Sequence, residues 1–174
     1  MNENTGNKPS FPSLIKKFFK STPFAMLIAA TVTILFVCFV GFPTSISGNS
    51  MYPTLTNGQF ALVNRLDKSI ERNDIITINN PSQDGYFPLV KRVIGISGDT
   101  IQVVDGDVYV NNQKREENYE KIKDAGKLSN PITLKKGEYI VLGDNRNNSN
   151  DSTEFGIVTT FDIIGTVYTK QNNK

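Results

Sequence analysis

The longest apolar stretch covers residues 23–42, twenty consecutive positions without a charged side chain. Such a run reads as one helix, and at about 1.5 Å per residue it reaches about 30 Å, the hydrocarbon thickness of a bilayer. Thr31 and Thr33 disturb it little, because a threonine hydroxyl can donate to a carbonyl one turn back. Beyond Pro43 the pattern changes to short runs rich in β-branched residues. Residues 60–63, 74–79, 89–96, 100–104, 108–110, 138–142 and 163–169 each read as a strand. Asp105-Gly106 is a hairpin signal, since glycine accepts positive φ at little cost, and Ser97-Gly98-Asp99 and Gly137 punctuate other runs. Residues 113–127 are charged and lack an apolar stripe, which predicts an exposed loop or an irregular excursion from the sheet. The pattern as a whole predicts a mainly β fold, an antiparallel β-sheet domain preceded by one N-terminal transmembrane helix.

Charge gives the helix a direction. Lys8, Lys16, Lys17 and Lys20 precede it against a single Glu3, and no charged residue follows until Arg65. The positive-inside bias predicts residues 1–22 as a cytoplasmic tail, 23–42 as the anchor and 43–174 as an extracytoplasmic catalytic domain at the cell membrane. A cleaved secretory signal is the competing reading, helped by the small-x-small triplet Ser45-Ile46-Ser47. Its apolar core would ordinarily be only about 7–15 residues long, and cleavage there would leave Ser50 almost at a free terminus. The chain of 174 residues has room for one anchor and one compact domain. A net charge of +2 with no dense Lys/Arg block argues against a nucleic-acid surface. Cys38 is the only cysteine, so an intramolecular disulfide is impossible.

The chain contains no histidine, which rules out a Ser-His-Asp triad and any His-ligated metal within it. Ser50 lies eight positions past Phe42, close to the expected anchor, in the run Ser50-Met51-Tyr52-Pro53-Thr54-Leu55. A nucleophilic serine there needs a base of another kind, and lysine is the recognised substitute. Lys91 falls in mid-strand, and period-two alternation puts Leu89 and Val93 on its own face. If that face is the core, desolvation lowers the amine pKa toward the neutral base that catalysis requires. A lysine snorkelling from a strand edge fits the same pattern. Residues 143–152, Gly-Asp-Asn-Arg-Asn-Asn-Ser-Asn-Asp-Ser, read either as a polar turn or as a loop that orients a buried amine.

Three blocks carry a resemblance. Ser50-Met51-x-Pro53-Thr54-Leu55, Lys91-Arg92-Val93-Ile94-Gly95-x-x-Gly98-Asp99 and Gly143-Asp144-Asn145-Arg146-x-x-Ser149-x-Asp151-Ser152 resemble, in order, those of type I (leader) signal peptidases in their compact bacterial form. Arg72-Asn73-Asp74-Ile75 is similar to a fourth, weaker block. The resemblance implies a Ser-Lys serine endopeptidase that removes signal peptides from secreted preproteins, with small residues before the cut and neither cofactor nor metal. On it Ser50 is the nucleophile, Lys91 the general base, and Ser149 and Asp151 help position the amine. Ile46 and Leu89 are candidate substrate-pocket liners from their places beside Ser50 and Lys91. The chain departs from the family at Thr153, where arginine is usual, at Gly48, where some members carry a serine, and at Asn73, where glycine is common. Self-cleaving repressors of the LexA type share the Ser-Lys β fold but carry a DNA-binding domain where this chain has an apolar helix. A non-catalytic peptide-binding module is the other rival, and covalent capture of Ser50 would separate it from an enzyme.

Overall fold

The computed structural model describes residues 22–39, 41–66 and 69–168. It divides into two units, residues 1–40 and 41–174. The expected tail lies outside the described residues except for Thr22, as do the side chains of Cys38 and Phe42.

In the first unit, α1 (Thr22–Phe39) is a single helix of 18 residues. The Thr31 and Thr33 hydroxyls donate to the Leu27 and Ala29 carbonyls at 2.9 and 2.8 Å, which lets both polar groups sit on an apolar helix. Met26, Leu27, Val32, Ile34, Leu35 and Phe36 are exposed. Among the described residues, no helix is long and apolar enough to cross a membrane. The apolar stretch of 23–42 is not one element. The helix ends at Phe39, and Phe42 belongs to a strand, β1 (Gly41–Ser45). Local chemistry explains the break. Pro43 biases Phe42 toward extended backbone, and any side chain on Gly41 would meet the Val63 carbonyl of the neighbouring strand.

The second unit is all antiparallel. Seven strands form one sheet in the order β1-β2-β11-β3-β4-β9-β10: β1, β2 (Phe60–Asn64), β11 (Ile163–Tyr168), β3 (Ile75–Asn79), β4 (Pro88–Gly95), β9 (Glu138–Leu142) and β10 (Val158–Thr159). A smaller sheet runs β7-β6-β5-β8: β7 (Gln113–Lys114), β6 (Asp107–Val110), β5 (Thr100–Val104) and β8 (Ile132–Thr133). The alternation expected along β4 holds. Leu89 and Val93 pack with Ile76, Ile78, Val141 and Val158, while Val90 joins Ile46, Met51, Val63 and Ile75 in a separate cluster. Lys91 stands opposite Ile76, a fully buried residue of the first cluster.

Of residues 113–127, Gln113–Lys114 form β7 and the short 3-10 turn Gly126–Ser129 begins at the far end, while 115–125 are irregular, as expected, but not simply exposed. Ile122 is buried among Ile101, Val108 and Leu128, and its N–H donates to the Gly106 carbonyl at 2.9 Å. Glu117 forms ion pairs with both Arg115 and Arg146, and the Arg146 guanidinium lies 4.7 Å from the Tyr119 ring centroid. Charged and aromatic anchors hold this segment where no apolar stripe exists, which is why periodicity does not reveal it.

Candidate active site

The turn that carries Ser50 is built from both ends. Ile46 accepts from Gly58 and donates to Gln59, each at 2.8 Å, so the chain leaves β1 beside the start of β2. Gly48 has φ +88 and donates its N–H to Asn57 Oδ1 at 2.9 Å. That positive φ suits glycine and strains other residues. Met51, only 1% exposed, roots the turn in the core, and its carbonyl accepts the Leu55 N–H at 2.9 Å. Ser50 itself is half-buried.

Lys91 reaches the same point from the sheet. It is 1% exposed, and its Nζ lies 3.0 Å from Ser50 Oγ and 3.1 Å from the Val90 carbonyl oxygen. Burial lowers its pKa from 10.5 to about 8, against an opposing pull from the Asp151 carboxylate. Removal from water disfavours the ammonium, so about one amine in ten is neutral at pH 7 and about half at pH 8. The strand-edge snorkelling geometry is not the one found.

The 143–152 loop closes the site. Asp151, 1% exposed, accepts hydrogen bonds from the Gly143 N–H at 2.9 Å, the Thr153 N–H at 3.1 Å and the Thr153 hydroxyl at 3.0 Å. Thr153 thus satisfies one oxygen of the carboxylate with two neutral hydrogen bonds. Asn145 donates its N–H to the Ser50 carbonyl at 3.0 Å and its side-chain amide to the Asn49 carbonyl at 3.1 Å, tying the loop to the serine turn. Gly143 is required by space. A Cβ there would collide with Ser149 Oγ and lie 2.6 Å from the Ser50 carbonyl oxygen. Ser149 Oγ is buried and makes no hydrogen bond among the described residues.

Ser50, Lys91, Ser149 and Asp151 therefore converge. The two candidate pocket liners differ. Leu89 is half-buried at the edge of its cluster, whereas Ile46 is 5% exposed and packed against the Met51 cluster. Sequence reasoning gave no structural role to the Arg92–Asp144 pair, which is buried, bidentate at 2.7 Å for both bonds, and extended by Arg92 donating to the Asn73 carbonyl at 2.9 Å. Alternation points Arg92 to the face opposite Lys91. A charged residue on an apolar inner face is the signal that a buried partner must exist.

Residues 16–170 match the family described as Signal peptidase, peptidase S26. The chain belongs to the signal peptidase I family. It is 37% identical over 155 residues to signal peptidase I T of Bacillus subtilis, covering 82% of this chain and 79% of that protein. It is 33% identical over 162 residues to signal peptidase IB of Staphylococcus aureus, covering 80% and 83% of the two chains. A crystal structure of a signal peptidase I from Enterococcus faecalis V583 aligns with a TM-score of 0.46 at 29% identity, over 58% of this chain and 98% of that one. Members are serine endopeptidases, so the chain is a hydrolase of signal peptides in its family assignment.

Proposed function

We propose that this signal peptidase is membrane-anchored and cleaves exported preproteins with Ser50 and Lys91 as its catalytic pair. The observation that carries the reading is Lys91 Nζ at 3.0 Å from Ser50 Oγ, its pKa lowered to about 8 by burial, in a chain without histidine. Neutral Lys91 removes the Ser50 proton as Oγ bonds to the scissile carbonyl carbon. The resulting oxyanion is stabilised by backbone N–H groups, that of Ser50 among them. Collapse breaks the C–N bond, and the lysinium returns its proton to the leaving amine. Water, deprotonated by the same amine, then hydrolyses the acyl-enzyme and regenerates Ser50. Asp151 opposes complete loss of the amine's basicity, and Ser149 fills the space beside Gly143 against the Ser50 backbone.

The substrate is an extended segment paired to a strand edge, with small side chains at the first and third positions before the cut. Leu89 retains surface to meet it, while Ile46 acts through the packing of the serine turn. The helix Thr22–Phe39 supplies the anchor, and its exposed apolar side chains, Leu27, Ile34 and Leu35 among them, meet lipid. The tail is cytoplasmic and the catalytic unit extracytoplasmic.

Full-length protein in detergent should cleave a purified preprotein at its signal junction, and Ser50→Ala, Lys91→Ala and Lys91→Arg should each abolish cleavage. Near wild-type cleavage by any of the three would remove the pair from the mechanism. Protease added outside intact cells should digest the catalytic unit and spare the first 22 residues, and the opposite pattern would reverse the topology.

A further inference from the structure

The 143–152 loop holds no apolar side chain, so hydrophobic packing cannot fix it and directional polar contacts must. Many of those contacts come from the charged segment 115–123. We propose that Glu117 and Tyr119 are positioning residues for peptide cleavage: with Asn147 they make this segment a strap that fixes the loop against Ser50 and Lys91. The inference rests on the Ser50–Lys91 reading and concerns residues that act through others.

The path from strap to serine runs bond by bond. The Glu117 carboxylate pairs with Arg146 Nη1, and Arg146 Nε donates to the Gly143 carbonyl at 3.1 Å. The Gly143 N–H donates to Asp151 Oδ2 at 2.9 Å, and a Cβ on Gly143 would lie 2.6 Å from the Ser50 carbonyl oxygen. The Asn145 N–H donates to that same carbonyl at 3.0 Å. A displacement of Arg146 is therefore passed to the carboxylate that acts on Lys91 and to the backbone of the nucleophile.

Tyr119 joins the loop to the strand of the base. Its ring centroid lies 4.7 Å from the Arg146 guanidinium and 6.0 Å from that of Arg92. Arg92 follows Lys91 directly in β4 and grips Asp144 with two bonds of 2.7 Å. Asn147 fastens the far side of the loop: its amide donates to Glu120 Oε2 at 3.1 Å and to the Lys121 carbonyl at 3.0 Å, and its Oδ1 accepts the Lys123 N–H at 2.9 Å. The strap has its own anchorage. The Arg115 N–H donates to the Val108 carbonyl at 2.8 Å, its guanidinium binds the Asn73 side chain and Glu117, and Ile122 is buried beneath. A fixed strap matters because a shift of about 1 Å in a catalytic group costs about 100-fold in rate.

The test is steady-state kinetics of preprotein cleavage by the full-length protein in detergent, at a temperature where circular dichroism shows every variant folded. Glu117→Gln and Tyr119→Leu should each lower kcat by roughly tenfold or more while KM changes by less than about twofold, because misplacement costs rate rather than binding. Tyr119→Phe keeps the ring and should stay within about twofold of wild type. Glu117→Gln leaves Arg146 short of a counter-charge, so Asn147→Ala, at an exposed position, provides a gentler variant. Its kcat should fall by roughly threefold or more with its urea midpoint unchanged. Lys114→Ala, exposed in β7 and paired with Asp107, should cleave like wild type. Wild-type kcat in both Tyr119→Leu and Asn147→Ala, a fall confined to KM, or Tyr119→Phe as slow as Tyr119→Leu would overturn the inference. Ser50→Ala, assayed beside them, keeps the two failures apart, since its cleavage at near wild-type rate would remove the Ser50–Lys91 reading itself.

Discussion

Replacing Lys91 with methionine separates a catalytic amine from a structural cation. In the folded protein burial lowers the amine pKa from 10.5 to about 8. Below about 8 the lysine is charged both folded and unfolded, and holding that charge in the core costs the fold about 3 kcal/mol at 1.36 kcal/mol per pH unit. Between about 8 and 10.5 the unfolded chain binds more protons than the folded one, so the wild-type protein gains stability as pH rises through that window. Above it the penalty is gone. Methionine has similar length and no charge, and it removes the penalty at every pH. It also removes the bonds to Ser50 Oγ and the Val90 carbonyl, a loss of about 1 kcal/mol each. Asp151 is not stranded, because three hydrogen bonds to Gly143 and Thr153 remain. The expected net is equal or greater stability by about 1 kcal/mol at pH 7, with no activity. The assay is urea unfolding of both proteins from pH 7 to 10.5. Other groups titrate in that range, so the difference between the two proteins is the readout, and it should move by about 3 kcal/mol in favour of wild type as pH rises. A variant less stable than wild type by about 3 kcal/mol or more at pH 7 would show that Lys91 is a paired structural cation, and would refute this reasoning.

Gly143→Ala forces a methyl into Ser149 Oγ and the Ser50 carbonyl, so kcat should fall by about 100-fold and the fold should lose about 1–3 kcal/mol through overpacking; unchanged kcat would mean that the loop does not control the serine. Gly48→Ala meets no atom within 4 Å, so its whole cost is the backbone at φ +88, about 1–2 kcal/mol in urea unfolding. Equal stability would show that the turn relaxes to another conformation. Asp144→Asn leaves Arg92 charged, buried and half-partnered, and should cost about 3 kcal/mol, visible as a lowered unfolding midpoint.

The strands were legible where β-branched alternation is strong. Residues 100–104 and 138–142 have the bounds that their patterns predict, and β4 differs from its pattern by one residue at each end. β1 was hidden because Gly41 and Phe42 continue the composition of the helix before it, and only its pairing with β2 distinguishes them. β7, β8 and β10 are two-residue pairings that no periodicity can signal. The 113–127 segment escaped for a different reason. Its anchors are long-range polar contacts, such as Glu117 with Arg146, and a hydrophobic pattern carries no information about them. Alternation along β4 found the apolar surroundings of Lys91, but the meeting of Lys91 with Ser50, 41 positions apart, came from motif resemblance alone.

The pH dependence of kcat/KM for cleavage of a preprotein tests the Ser-Lys account most directly. The reaction needs Lys91 unprotonated in the free enzyme, so activity should rise with pH and level off through a single acid limb with its midpoint at about 8. A limb centred below about 6.5, in the range of an ordinary histidine or a raised carboxylate, would contradict it, since Lys91 could not then be the base.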